Sequence, residues 1–184
     1  MAHISLPEGL AGIAGPMKQY PETEVPLNAL AQALLRGPSS LTPAERELIA
    51  TYVSSRNDCW FCMSTHRAAT QHLLQSEGQS PALVDQVRQD LEAAPIDEKM
   101  RALLVIAGKV QQGGRRVTDE DVARARAEGA DDKAIHDTVL IAAAFCMFNR
   151  YVDGLATWAP EEESAFEATG ARLATQGYTN SIPR

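Results

Sequence analysis

Apolar residues recur every three to four positions along most of this chain, which is the period of an amphipathic α-helix. In the segment 97–113, this period is kept throughout by the apolar residues Met100, Leu103, Leu104, Ala107 and Val110. No segment shows the alternation of apolar and polar residues that is typical of a half-buried β-strand. The pattern therefore predicts an all-α fold.

Capping residues, prolines and glycines divide the periodic segments into separate helices. Thr42-Pro43-Ala44-Glu45 is a capping box with proline at the first helical position, and Thr118 with Asp121 gives a second capping pattern. We predict helices over 26–36, 43–56, 59–77, 81–91, 97–112, 118–128 and 132–159, followed by a polar final helix. The segment 139–148 is apolar nearly all round, which predicts a buried helix.

The chain length and its breakers indicate one domain with two less regular ends. Proline and glycine are frequent in residues 1–25, which we predict to be an extended N-terminal arm lying against a neighbouring subunit. Residues 26–176 form the predicted single helical domain, and residues 177–184 a loose C-terminal tail.

Composition and charge restrict the possible partners. The chain of 184 residues has a formal net charge of −7, which disfavours nucleic acid and anionic membrane surfaces as partners. No apolar run reaches the length of a membrane-spanning helix, and no basic and apolar leader begins the chain. We therefore expect a cytoplasmic protein without a membrane or nucleic-acid partner.

Two of the three cysteines form a C-x-x-C pair, which in a reducing compartment indicates a redox-active or metal-binding site. Cys59 and Cys62 begin the predicted helix 59–77, where unpaired N–H groups and the helix dipole favour the thiolate form. His66 follows on the same stripe of that helix. If the chain turns near Asn57 into an antiparallel hairpin, Glu47 faces His66. We predict that a carboxylate, an imidazole and two thiols converge there.

The pattern Glu-x11-Cys-x2-Cys-x3-His on a helical hairpin resembles the carboxymuconolactone decarboxylase superfamily, in its AhpD-like alkylhydroperoxidase (peroxidase-related) branch. Residues 26–30, 41–50 and 148–154 are similar to that branch too, and the resemblance covers about residues 5–160. One position differs, because Phe61 stands where the well-studied alkylhydroperoxidases have a second histidine.

The resemblance implies an AhpD-like fold of helical hairpins, assembled as a homotrimer or as a hexamer of trimers. It also implies reduction of a hydroperoxide, with Cys62 as the nucleophile, Cys59 as its partner, and Glu47 and His66 as a proton relay. An external dithiol of the lipoamide or thioredoxin type would restore the thiols. This chemistry requires no cofactor and no metal.

Three alternatives stay open at this point. Cys59, Cys62, His66 and Glu47 would supply four ligands for zinc. The pair would also suit a non-catalytic redox-sensing oligomer, and the superfamily name suggests decarboxylation of a lactone acid. Outside the motif, Cys146 is expected to be a core residue.

One further polar group is predicted near the end of the long helix. Asn149, Arg150 and Asp153 are expected to form a buried cluster that fixes helix packing.

Overall fold

A computed structural model describes residues 1–179 of the chain. The regular structure of this part consists of nine α-helices and the short 3₁₀ helices Gly114–Arg116 and Glu163–Phe166, with no strand. The all-α prediction is therefore confirmed. The α-helices are α1 (Ala14–Gln19), α2 (Pro21–Arg36), α3 (Pro43–Arg56), α4 (Trp60–Ser76), α5 (Leu83–Gln89), α6 (Glu98–Gln112), α7 (Asp119–Ala127), α8 (Asp132–Gly154) and α9 (Glu167–Gln176). None of these helices is long and apolar enough to cross a membrane.

The antiparallel hairpin of α3 and α4 carries the predicted motif. The capping box that begins α3 is present: Thr42 Oγ1 accepts a hydrogen bond from the Glu45 backbone N–H at 3.2 Å, and the Glu45 carboxylate accepts one from the Thr42 N–H at 2.7 Å. Between the helices, Asp58 adopts a left-handed conformation with φ of 56°, and Cys59 is the N-cap of α4. The turn lies where the helix-breaking residues predict it.

Polar contacts to α8 hold this turn. The Asn57 side-chain amide donates to Asn149 Oδ1 at 2.8 Å, and Asn149 Nδ2 donates to Ser54 Oγ at 3.0 Å. Asn149 is buried, as predicted, but Arg150 and Asp153 are exposed. The predicted three-residue buried cluster is therefore wrong for these two residues, because the helix turns them towards solvent.

The core forms where α3, α4, α6 and α8 pack together. It consists of aliphatic and aromatic side chains from which solvent is excluded, including Leu35, Ile49, Leu103, Leu104, Ile141 and Phe145. Burying side chains of this size is the main favourable contribution to folding. Glu47 projects into the same interior and is fully buried, so its charge needs partners inside the protein.

The N-terminal arm is less extended than predicted. Ala14–Gln19 forms α1, and α2 begins at Pro21 instead of residue 26, so only residues 1–13 and Tyr20 of the predicted arm lie outside an α-helix. Pro26 lies inside α2, where it removes one backbone hydrogen bond of the helix, and its side chain is exposed. The arm also contacts its own chain, since Gly12 N–H donates to the Trp158 carbonyl at 2.7 Å.

The C-terminal part contains two further differences. Helix α8 ends at Gly154, not at residue 159, and the following loop supplies the carbonyl groups that bond the arm. Helix α9 packs against α4 so closely that a Cβ atom on Gly170 would lie 2.5 Å from the Ala68 Cβ. The tail predicted to be loose is buried at Tyr178, while residues 180–184 lie outside the described part of the chain.

Candidate active site

An apolar cavity of about 120 Å³ lies beside the first turns of α4. Cys62 and His66 both line it, together with Phe61, Thr65 and residues of α1, α2, α8 and α9, including Met17, Leu27, Phe145, Phe148 and Leu173. The spacing of four residues between Cys62 and His66 places both on one side of α4. A small molecule in this cavity would therefore meet a thiol and an imidazole on an otherwise mainly apolar wall.

Glu47 and His66 meet across the hairpin. His66 Nδ1 lies 2.7 Å from Glu47 Oε2, and both side chains are buried. The carboxylate can only accept, so Nδ1 carries a proton, and in the uncharged form of the imidazole the lone pair is then on Nε2. Phe145 packs edge-on against the imidazole, with ring centroids 4.6 Å apart. The predicted register of the hairpin thus brings these two residues together and fixes the histidine tautomer.

Two partners of Glu47 are not among the predicted site residues. Arg36 Nη2 donates to Glu47 Oε1 at 2.6 Å, and the Tyr178 hydroxyl donates to the same oxygen at 2.6 Å. Arg36 is the last residue of α2, and only its basic character at a helix end gave a sequence signal. Tyr178 follows a glycine in a segment without apolar periodicity, so nothing in the sequence placed it near Glu47.

These contacts determine the charge state of the site. Burial alone would raise the pKa of the Glu47 carboxyl, but His66, Arg36 and Tyr178 together hold that pKa below its ordinary value. Burial, and next the charge of Glu47, raise the pKa of the Tyr178 hydroxyl well above its ordinary value. At neutral pH the site therefore contains an ionised carboxylate and a protonated phenol.

The two cysteines have different surroundings. Cys62 lines the cavity, whereas Cys59 is fully buried in a small cluster with Cys62 and Val152, and both thiols are free. A hydrogen bond with Cys62, and next burial, raise the pKa of the Cys59 thiol. The prediction that the helix start favours a thiolate is therefore wrong for Cys59, because these effects outweigh the helix dipole.

A zinc centre is not supported by these side chains. In the described part of the chain, no three His, Cys, Asp or Glu side chains are arranged to hold a metal ion. Both oxygens of Glu47 already accept hydrogen bonds, and the Nδ1 atom of His66 is one of their donors. The four candidate ligands therefore do not converge on one point, although three of them lie close together on α4.

The third cysteine lies outside the site. Cys146 is half-buried on α8 and packs against the core, as expected. Its sulfur lies 3.6 Å from the Asn57 side-chain nitrogen at the hairpin turn.

Comparisons with known proteins bear on the family. The sequence profile of the carboxymuconolactone decarboxylase family matches residues 21–79, which include the whole Glu-Cys-Cys-His motif. The crystal structure of an alkylhydroperoxidase AhpD core, an uncharacterized peroxidase-related protein from Ralstonia eutropha JMP134, is 26% identical, covers 88% of this chain and 82% of its own, and superposes with a TM-score of 0.75. The chain therefore has an AhpD-like fold, and its residues 21–79 match the carboxymuconolactone decarboxylase family.

Two further structures are similar to this chain. An uncharacterized peroxidase-related protein from Silicibacter sp. TM1040 is 26% identical, covers 86% of this chain and 79% of its own, and superposes with a TM-score of 0.74. A protein of unknown function from Agrobacterium tumefaciens, 23% identical over 80% of this chain and 97% of its own, shares the fold with a TM-score of 0.65. No curated protein matches the sequence significantly.

Proposed function

We infer that this AhpD-like protein is a thiol-dependent hydroperoxide reductase in which Cys62 is the nucleophile. The observation that carries this proposal is that Cys62 and His66 line one apolar cavity while His66 is hydrogen-bonded to the buried Glu47 carboxylate. A thiol beside a base that is itself oriented by a third group is the arrangement of an activated nucleophile. The peroxidase-related names of the similar structures support the choice of substrate.

In the oxidation step, the relay first takes a proton from Cys62 and later gives it to the leaving alcohol. His66 Nε2 takes the proton of Cys62, and Glu47 stabilises the resulting imidazolium charge. The Cys62 thiolate attacks the terminal oxygen of the hydroperoxide, the O–O bond breaks, and Cys62 becomes a sulfenic acid. The alcohol leaves with the proton that His66 returns, so the relay is ready again.

The thiols are then regenerated in two exchanges. Cys59 attacks the sulfenic sulfur of Cys62, and its own thiol proton leaves with the hydroxyl group as water, giving a Cys59–Cys62 disulfide. An external dithiol attacks this disulfide, forms a mixed disulfide and closes to its own oxidised form. We propose a lipoamide- or thioredoxin-type donor and a cytoplasmic location, because a reducing compartment provides such dithiols.

The proposal is tested by measuring peroxide consumption with hydrogen peroxide, tert-butyl hydroperoxide and cumene hydroperoxide, each with dihydrolipoamide or reduced thioredoxin. We expect turnover with at least one pair, and none for Cys62→Ser. Cys146→Ser is the matched control and should keep the activity. If no pair is consumed, or if Cys62→Ser stays active, the proposal is wrong.

The proposal includes an oligomer. The exposed side of α8 carries an apolar stripe of Val139, Leu140 and Met147, each more than a third exposed. A stripe of this kind on one helix is typical of a contact between subunits. We propose that it contacts a second copy in a trimer-based assembly. Light scattering should show the oligomer for the wild type and a smaller mass for Leu140→Glu; a wild-type monomer at micromolar concentration would contradict this.

A further inference from the structure

The tyrosine near the C-terminal end of the described chain lies inside the candidate active site. Its hydroxyl is 2.6 Å from Glu47 Oε1 and 3.3 Å from His66 Nδ1. Its ring lies nearly parallel to the imidazole of His66, with an interplanar angle of 13° and a centroid distance of 6.1 Å. Tyr178 therefore contacts both members of the proton relay, although it is separated from Glu47 by more than a hundred residues.

Backbone contacts hold Tyr178 in this position. Its N–H donates to Gln32 Oε1 on α2 at 2.8 Å. The preceding residue, Gly177, has a φ of 68°, and a Cβ atom there would lie 2.4 Å from the same Gln32 oxygen. The chain therefore leaves α9 through a sharp turn that only glycine accommodates easily. Tyr178 is directed to the relay by this turn and by Gln32.

The hydrogen bonds to Glu47 are divided between its two oxygens. Oε1 accepts from Arg36 and from Tyr178, while Oε2 accepts from His66. Two donors at one oxygen fix the rotation of the carboxylate plane, and this rotation directs Oε2 at Nδ1. The Arg36 guanidinium also lies 5.3 Å from the centre of the Tyr178 ring, so the two donors support each other.

We propose that Tyr178 is a positioning residue of the proton relay: its hydroxyl, together with Arg36, orients the Glu47 carboxylate and thereby holds the His66 ring with Nε2 available to Cys62. This inference rests on the proposed peroxidase function, because it assigns a role in that relay. Tyr178 acts through Glu47 and takes no proton itself. The C-terminal segment is thus part of the active site and not an appendage of it.

The test compares Tyr178→Phe with Tyr52→Phe in the full-length protein. Phenylalanine keeps the ring at residue 178 and removes only the hydroxyl group. Tyr52 is the matched control, because it is also buried but packs against Gly108 on α6 and does not line the cavity. The measurements are the pH dependence of iodoacetamide alkylation at Cys62, followed on its own peptide by mass spectrometry, and the rate of peroxide consumption.

We expect Tyr178→Phe to lower the rate of Cys62 oxidation by about tenfold, the order of magnitude of one hydrogen bond to a charged group. Loss of a donor to the carboxylate raises the pKa of Glu47, so the acidic limb of the alkylation profile moves to higher pH. Gln32→Met removes the backbone anchor and keeps the hydroxyl group. It should cause a shift in the same direction but a smaller one.

The outcomes separate the positioning role of Tyr178 from the proposed peroxidase function. Profiles of Tyr178→Phe and wild type that coincide would overturn the positioning role, and so would an equal shift in Tyr52→Phe. If Tyr178→Phe shifts the alkylation profile but the wild type consumes no peroxide with any donor, the positioning role stands and the peroxidase function fails. Thermal unfolding shows which variants have kept the native fold. If Tyr178→Phe has lost it, the alkylation profile of Gln32→Met decides whether the positioning role stands.

Discussion

Replacing Glu47 by glutamine changes the charge of the relay and almost nothing of its shape. Oε1 accepts from Arg36 and from Tyr178, each at 2.6 Å, and because the Arg36 guanidinium can only donate, the carbonyl oxygen of the glutamine amide must take this place. The NH₂ group then replaces Oε2 and lies 2.7 Å from His66 Nδ1. It donates to Nδ1, which moves the ring proton to Nε2. In this tautomer His66 cannot accept a proton from Cys62.

The size of this defect follows from known cases of the same perturbation. A histidine held in the wrong tautomer by an amide costs on the order of 10⁴ in rate, and the loss of a positioned base costs about 10²–10⁴. We expect Glu47→Gln to slow Cys62 oxidation by about 10²–10⁴. His66→Ala should show a similar defect, and the double mutant should be little worse than either single variant, because members of one relay are not additive.

The assay is the pH dependence of Cys62 alkylation by iodoacetamide in the wild type, Glu47→Gln and His66→Ala. Both variants should need a higher pH for the same alkylation rate, because the thiol has lost the partner that accepts its proton. Glu77→Gln, which removes the same charge at the exposed far end of α4, is the control. Profiles that coincide in all these proteins would mean that Glu47 and His66 are structural, and the relay would have to be abandoned.

Three further predictions concern the thiols, acid stability and helix packing. Cys59 and Cys62 should form a reversible disulfide while Cys146 stays reduced. The number of free thiols should therefore fall from three, one for each cysteine, to a single thiol after mild peroxide treatment. Peptide mapping that places Cys146 in the disulfide would refute this. Because the pKa of Glu47 is lowered by folding, its contribution to stability is present above the ordinary carboxyl pKa and is lost as the pH falls through the lowered value. The difference in unfolding free energy between wild type and Glu47→Gln should therefore shrink in acid, and urea titrations giving a constant difference would contradict it. Gly170→Ala should destabilise the protein by about 1–3 kcal/mol, because its Cβ would collide with α4. Gly154→Ala is the control and should destabilise the protein less, because the space around Gly154 is open. Equal melting temperatures of the two variants would refute the packing argument.

The parts of the fold that local rules determine were predictable from the sequence. The capping box at Thr42 and the break after Asn57 set the register of the α3–α4 hairpin, and this register alone brought Glu47 opposite His66. Periodicity likewise gave the buried faces of the helices. In each of these cases the determining residues lie within about three helical turns of the position that they fix.

The remaining features depend on contacts between distant segments. Arg36 and Tyr178 contact Glu47 because α2 and α9 pack on the hairpin, and the periodicity of apolar residues does not predict contacts between such distant segments. The N-terminal helix boundary was missed because Pro26 is compatible with a helix start, whereas Pro21 is the residue that begins α2. A partner that satisfies a buried charge can come from anywhere in the chain, including a segment that resembles a loose tail.

The most direct test of the peroxidase mechanism is the intact mass of Cys59→Ser after one equivalent of a hydroperoxide. Without its partner thiol, Cys62 should stop at the sulfenic acid, so the protein should gain the mass of one oxygen atom, and dimedone should label the Cys62 peptide. Cys62→Ser should gain nothing at residue 59. An unmodified Cys62 in Cys59→Ser, or the first oxygen on Cys59 in the wild type, would contradict the assignment of Cys62 as the residue that reacts with peroxide.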